Sequence, residues 1–186
     1  MKTKFYIAVA LVAGVLAACD GQAKKAENHE GHDHSSHDGH SHEATVQNTS
    51  PTGPSFNSDA LNNVYGHYIH LKNNLVASNE AESKTAAAAL KTAIADLKDA
   101  EVLKAAEQTA AATNLEGIRA SFNDLSKQIE RVIKSTGVKS GEVYVEFCPM
   151  ANNDKGGFWL SNSSEIQNPY YGDQMMKCGS VEETLK

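Results

Sequence analysis

The chain has 186 residues, with 17 Lys and Arg against 23 Asp and Glu and a formal net charge of −6. A net acidic chain without a basic cluster argues against nucleic acid as a partner.

Residues 1–18 combine a basic start (Lys2, Lys4) with an unbroken, weakly apolar run from Phe5 to Ala18. The run is too short to span a bilayer comfortably and reads as a secretory signal. It ends Leu16-Ala17-Ala18-Cys19, which resembles a bacterial lipobox. That resemblance implies cleavage before Cys19, diacylglycerol on its sulfur and acylation of the new amino terminus; the alternative is an ordinary signal peptide followed by a chance cysteine. The expected location is the bacterial cell envelope, facing the periplasm, with the membrane reached through lipid on Cys19. Processing leaves 168 residues and removes Lys2 and Lys4 but no acid, so 15 basic residues face 23 acidic ones and the net charge becomes −8. Cys148 and Cys178 are then the remaining thiols, and in an oxidising compartment such a pair reads first as a possible disulfide.

Residues 19–55 form a tether rich in His, Ser, Gly, Glu and Asp, finishing with Pro51 and Pro54. That composition buries too little apolar surface to offset ordering entropy, so disorder is expected. Within it His29, His32 and His34 repeat as His37, His40 and His42, beside Glu30, Asp33, Asp38 and Glu43. Neutral imidazoles are ligands for Zn, Cu(II) and Ni, and a flexible set of them acts as a buffer because nothing fixes its geometry. The plainer alternative is a solvated spacer that takes up metal adventitiously.

The third segment, residues 56–186, turns helical. Leu61, Val64, Tyr65, Tyr68, Leu71 and Leu75 recur at three- and four-residue steps and give one amphipathic helix. Asn79 and Glu82 resemble a capping box opening a second, with Ala86, Leu90, Ala93, Ile94 and Leu97 inward. An Ala-rich third helix over residues 101–112 places Leu103, Ala106 and Ala110 on one stripe. Thr113 and Glu116 form another box, and a fourth helix aligns Leu115, Ile118, Phe122, Leu125, Ile129 and Val132 before stopping at Gly137. The expected fold is mainly α, an antiparallel four-helix bundle followed by a small β-hairpin and a loop-rich C-terminal tail. His67 and His70 stand one turn apart on the first helix, a spacing that suits a metal but more often marks boundary histidines.

After Gly141 the period changes to two. Val143, Val145 and Phe147 alternate with Tyr144 and Glu146, giving a half-buried strand; residues 152–157 are turn chemistry, and residues 158–161 return as a second strand. The tail follows turns set by Pro169, Gly172 and Gly179. An extended Cys148-Pro149-Met150 would put thiol and thioether on one side, and Met175-x-x-Cys178 does the same through one turn. Cys148, Met150, Met175 and Cys178 together make a soft ligand set suited to Cu(I) or Ag(I). A Cys148–Cys178 disulfide is the competing reading, closing a loop of about thirty residues and stabilising by roughly 3–4 kcal/mol. No Cys-x-x-Cys or Cys/His pair supports a nucleophile, so no enzyme is expected.

Tyr144–Ala151, Trp159-Leu160-Ser161, Ile166–Gly172 and Met175–Gly179, with Arg119, Phe122 and Ser126 upstream, resemble a domain family of unknown function from bacterial envelopes. That family also occurs appended to periplasmic adaptors of copper/silver efflux pumps of the resistance-nodulation-division class. The resemblance runs from about Asn57 to Leu185. It implies heavy-metal handling but brings no settled catalytic or ligand assignment; with the soft ligand set and the histidines, copper is the expected metal and a heavy-metal efflux adaptor the candidate partner. It does not extend to the histidine tether, and the family position matching Met176 is generally just apolar. The alternative function is a non-catalytic, disulfide-stapled interaction module docking on such an adaptor or another envelope protein.

Overall fold

The computed structural model describes residues 53–186; the signal segment, Cys19 and the six tether histidines lie outside the described residues. The described part is mostly helical with two small antiparallel sheets. In chain order come β1 (Ser55–Phe56), α1 (Asp59–Val76), α2 (Glu80–Ile94), α3 (Ala100–Ala110), α4 (Leu115–Thr136), β2 (Val138–Ser140), β3 (Val143–Cys148), the short α5 (Ala151–Asp154), β4 (Gly157–Ser161) and β5 (Ser180–Leu185).

Each long helix opens on a polar side chain that accepts an otherwise orphaned amide: Ser58, Asn79, Asp99 and Asn114. Asn79 takes the Glu82 N–H at 3.2 Å, the N-cap half of a capping box, while its own N–H goes to the Asn74 carbonyl at 3.0 Å and not to Glu82. On α4 the cap is Asn114 rather than Thr113. The helix begins at Leu115, so the side chain that reaches the third amide, Gly117 N–H at 2.8 Å, belongs to Asn114. Gly137 ends α4 with φ +82° and its N–H on the Ile133 carbonyl.

The expected inward stripes of α1, α2 and α4 are buried, except that Leu97, Leu115 and Val132 are only half-buried and Ile133 is buried beside Val132. The stripe of α3 is turned from the expected one. Val102, Ala105, Ala106 and Thr109 are buried, while Leu103 and Ala110 are half-exposed. Alanine stripes differ little in apolar area, and the face that is buried is the one carrying Val102; beside it Asp99 at the start of α3 holds Arg131 of α4 through two 2.8 Å bonds.

β3 is the central strand of a β4-β3-β5 sheet, antiparallel on both sides. Two expectations change here. The tail is not only loop, because residues 180–185 pair with β3; their side chains are largely exposed and carry no alternation, so the strand is set by the hydrogen-bonding demand of β3's second edge. Nor is β3 half-buried: Val143 and Val145 on one face and Glu146 and Cys148 on the other are all buried, with Tyr144 and Phe147 half-buried, so both faces of the strand are covered.

The free edge of β4 is met by side chains. Phe158 N–H donates to Asn123 Oδ1 at 2.9 Å, Leu160 N–H donates to the Tyr68 hydroxyl at 2.9 Å, and the Phe158 carbonyl accepts the Tyr170 hydroxyl at 2.6 Å. An edge strand is thus satisfied by α1, α4 and the tail instead of by another strand. No helix among the described residues is long and apolar enough to cross a membrane.

Candidate functional site

β3 delivers Cys148 at its last position, opposite Gly157 of β4. The chain then leaves the strand. Met150 is in the right-handed helical region, and Asn152, Asn153 and Asp154 follow with φ of +54°, +57° and +61°. Asn and Asp are the non-glycine residues best able to adopt that conformation. The turn is closed by Asn152 Nδ2–H to the Gly156 carbonyl at 3.0 Å and by Gly156 N–H to the Ala151 carbonyl at 2.9 Å. Strand alternation therefore stops at Cys148 and does not carry Met150 to the thiol's side, and Met150 is 44 % exposed.

Cys178 arrives on a compact turn, its N–H donating to the Met175 carbonyl at 3.0 Å. Asn168 fixes that turn. Fully buried, it donates Nδ2–H to the Cys178 carbonyl at 2.9 Å, while its Oδ1 accepts the N–H of Tyr170 at 2.8 Å and of Tyr171 at 3.3 Å. Its own N–H reaches the Met176 carbonyl at 2.9 Å. One residue on, the Pro169 carbonyl accepts Arg119 Nε–H at 2.8 Å, and the same guanidinium donates to the Leu75 carbonyl and the Ser78 hydroxyl. The Tyr171 hydroxyl donates to the Met150 carbonyl, joining the two cysteine-bearing turns.

The result is convergence. Cys148 Sγ and Cys178 Sγ lie 2.8 Å apart as free thiols. That is longer than a disulfide bond of about 2.05 Å and short enough for one small displacement to close it. Cys148 is fully buried and Cys178 half-buried. The hydrogen bond to Cys148, with burial and the charge of Cys148 adding to it, pushes the Cys178 thiol up to about 11. Aromatic rings lie beside the residues that adjoin the pair, Tyr170 against Gly157 opposite Cys148 and Trp159 against Gly179 after Cys178. Tyr170 packs edge-on against Trp159 at 6.0 Å and Phe122 at 6.2 Å. Burial first, then Tyr68 and the neighbouring Cys148, raise its phenol well above the usual range. The ring fits because residue 157 has no side chain: a Cβ there would lie 2.6 Å from the Tyr170 ring. Directly after Cys178, Gly179 has φ +142° and a Cβ on it would lie 2.9 Å from Trp159.

Glu146, on β3 two residues before Cys148, is fully buried with neither carboxylate oxygen hydrogen-bonded. Burial pushes its carboxyl up to about 7, against the opposing pull of Lys72 and of the Trp159 indole, which faces it without completing a well-formed hydrogen bond. Lys72 is itself buried and its ammonium is lowered by desolvation.

Of the residues expected to act together, the structure unites Cys148 and Cys178. Met175 and Met176 are half-buried on the Cys178 turn, Met150 is exposed, and the hydrogen bonding of the two thiols among the described residues is confined to each other. On α1, His67 is half-buried and His70 exposed with Nε2 3.4 Å from Asn74 Nδ2, the arrangement of boundary histidines. Among the described residues no three His, Cys, Asp or Glu side chains gather as a metal cluster. Asn168, Asn123 and Tyr68 were not legible as site-builders. The Asn168-Pro169 dipeptide signals a turn, but nothing local reveals that its amide spans ten residues.

Residues 64–141 match the family described as Protein of unknown function (DUF3347). This segment is a domain of unknown function. The DUF3347 match begins in α1 and ends at Gly141, before β3, so all four Cys and Met candidates lie beyond it. It does contain Tyr68, Arg119 and Asn123, whose side chains hold Leu160, Pro169 and Phe158. No curated protein and no solved structure matches the chain.

Proposed function

We propose that the chain is a bacterial envelope lipoprotein, anchored through Cys19, that binds, buffers or transfers a soft heavy metal, copper by its chemistry, without catalysing a reaction. In this reading α1–α4 form an antiparallel four-helix bundle that carries the thiol-bearing turns. The observation that supports it is the meeting of Cys148 and Cys178 from opposite ends of a thirty-residue excursion.

The donor set fits the cargo. Two thiols side by side are soft ligands on deprotonation, and Met150 and Met175 sit in the same two turns with thioethers to complete the set. The firmly held Cys178 proton must leave as Cu(I) enters, so affinity rises with pH. His29, His32, His34, His37, His40 and His42 would collect Cu(II), Zn or Ni more loosely, and a periplasmic adaptor of a heavy-metal efflux pump is the partner this chemistry suits.

The sulfur separation of 2.8 Å favours a second reading, a disulfide-stapled interaction module docking on such an adaptor or another envelope protein. A Cu(I) competition titration separates the two, run on the reduced and the oxidised full chain. Metal handling requires one tight Cu(I) in the reduced chain, lost on oxidation and in both Cys148→Ser and Cys178→Ser, because oxygen cannot replace a soft thiolate. Met150→Leu and Met175→Leu weaken it less, and Met176→Leu changes little. Absence of any tight Cu(I) in the reduced chain, with both serine variants destabilised only under oxidising conditions, leaves the stapled module.

A further inference from the structure

We propose that Cys178 is a thiol-modification site with Cys148 as its built-in resolving thiol, a pair that exchanges in fixed order with low-molecular-weight disulfides. The proposal rests on the geometry of the two sulfurs and not on the metal reading above.

The two thiols differ in access. Cys148 ends the central strand and is fully buried in the hydrophobic core. Cys178 is half-buried on a surface turn whose neighbours Asp173, Gln174, Lys177 and Ser180 are exposed. A disulfide arriving from solvent meets Cys178 first. Once its firmly held proton has been lost, the Cys178 thiolate attacks one sulfur of the incoming disulfide, forms a mixed disulfide and releases the first small thiol. Cys148 Sγ stands 2.8 Å behind the Cys178 sulfur, within the protein and away from solvent. Its thiolate attacks Cys178 Sγ, the mixed disulfide breaks, the Cys148–Cys178 bond forms and the second small thiol leaves. Two protein thiols are oxidised, one external disulfide is reduced to two thiols, and the two protons displaced from the cysteines are taken up by the departing thiolates. The reverse sequence opens the bond from the same side.

The framework keeps this order. Asn168 holds the Cys178 carbonyl and the Met176 carbonyl, and Cys148 is held by the β3–β4 ladder. The second step therefore follows without the turn having to refold, and a mixed disulfide on Cys178 is short-lived.

The test uses the full chain with oxidised glutathione as probe, and peptide mapping restricts the readout to the two residues. Lys155 and Lys177 allow their peptides to be separated after tryptic cleavage. Wild type is expected to release two glutathiones per chain and to end as the internal disulfide with no lasting adduct. Cys148→Ser, or Cys148→Ala if the serine variant folds poorly, accumulates one glutathione on Cys178. Cys178→Ser is modified at Cys148 at least tenfold more slowly, and catches up only in denaturant. Equal rates for the Cys148 and Cys178 variants in native buffer overturn the assigned order, as does a mixed disulfide that persists on the wild type. Either outcome is read from glutathione adducts with no metal present, and so stands or falls separately from the Cu(I) titration.

Discussion

Replacing Tyr68 by phenylalanine removes one oxygen atom from the centre of the molecule. The Tyr68 hydroxyl is fully buried, 2.7 Å from Ser126 Oγ and 2.9 Å from the Leu160 nitrogen. Ser126 spends its single proton on the Phe122 carbonyl at 2.7 Å. Tyr68 must therefore donate to Ser126 and accept from Leu160, which gives a one-directional chain from β4 through α1 to α4. Phenylalanine keeps the ring and its stacking on Phe122 at 5.1 Å, but leaves the Leu160 amide without an acceptor on a covered sheet edge. Leaving a buried donor unsatisfied costs about 1–3 kcal/mol, against a total stability of about 5–15 kcal/mol. One turn earlier, Tyr65 is buried too, but its hydroxyl has no hydrogen-bond partner. Tyr65→Phe is thus neutral or stabilising. Urea denaturation of the two variants beside wild type reads the difference, and amide exchange at Leu160 should quicken in Tyr68→Phe alone. Equal midpoints for the two variants would refute the reasoning that the Tyr68 hydroxyl docks the sheet.

Phe122→Ala removes a fully buried ring between Tyr68 and Tyr170, and should cost about 3–5 kcal/mol in a denaturation curve, since transfer energy is lost and a cavity remains. Asn168→Ala strips partners from the Cys178 carbonyl and from two amides; it should lower stability by about 2–4 kcal/mol and slow internal disulfide formation, which thiol quantification measures. In the metal-free protein, a Glu146 carboxyl raised to about 7 binds a proton in the folded state that the unfolded chain loses near its ordinary 4.5. Stability should therefore fall as pH rises from about 4.5 to 7, by about 1–3 kcal/mol, and Glu146→Gln should flatten that slope in pH-dependent denaturation. Deleting residues 28–43 should leave the melting temperature unchanged while abolishing divalent-metal capacity, which in wild type declines below about pH 6.5 as imidazoles protonate; calorimetry before and after deletion decides it.

The helices were legible because their information is local. A 3.6-residue period in α1, α2 and α4 selects one face whatever that face meets, and Asn79 caps an amide three residues away. Where the local signal weakened, the surroundings chose: Ala-rich α3 turned the face with Val102 into the core, and β5, with exposed side chains, took its conformation from the open edge of β3. The site shows the same division. That Cys148 and Cys178 were chemically apt, with methionines nearby, could be read from residue type and spacing. That their sulfurs lie 2.8 Å apart depends on Asn168 and Arg119, which bond to backbone ten and fifty residues away. Alternation from Cys148 to Met150 requires extended backbone, whereas Met150 is in the right-handed helical region and the left-handed turn follows it. Alternation makes Glu146 the outward residue of a half-buried strand, whereas it is fully buried, because period two says which residues share a face but not whether both faces are covered. Sequence determined the four long helices and the β3–β4 hairpin, the soft character of the tail and the pairing of its cysteines as a possibility. Only the tertiary structure decided which sulfurs meet and which stays buried, because those facts rest on contacts between segments that no local pattern encodes.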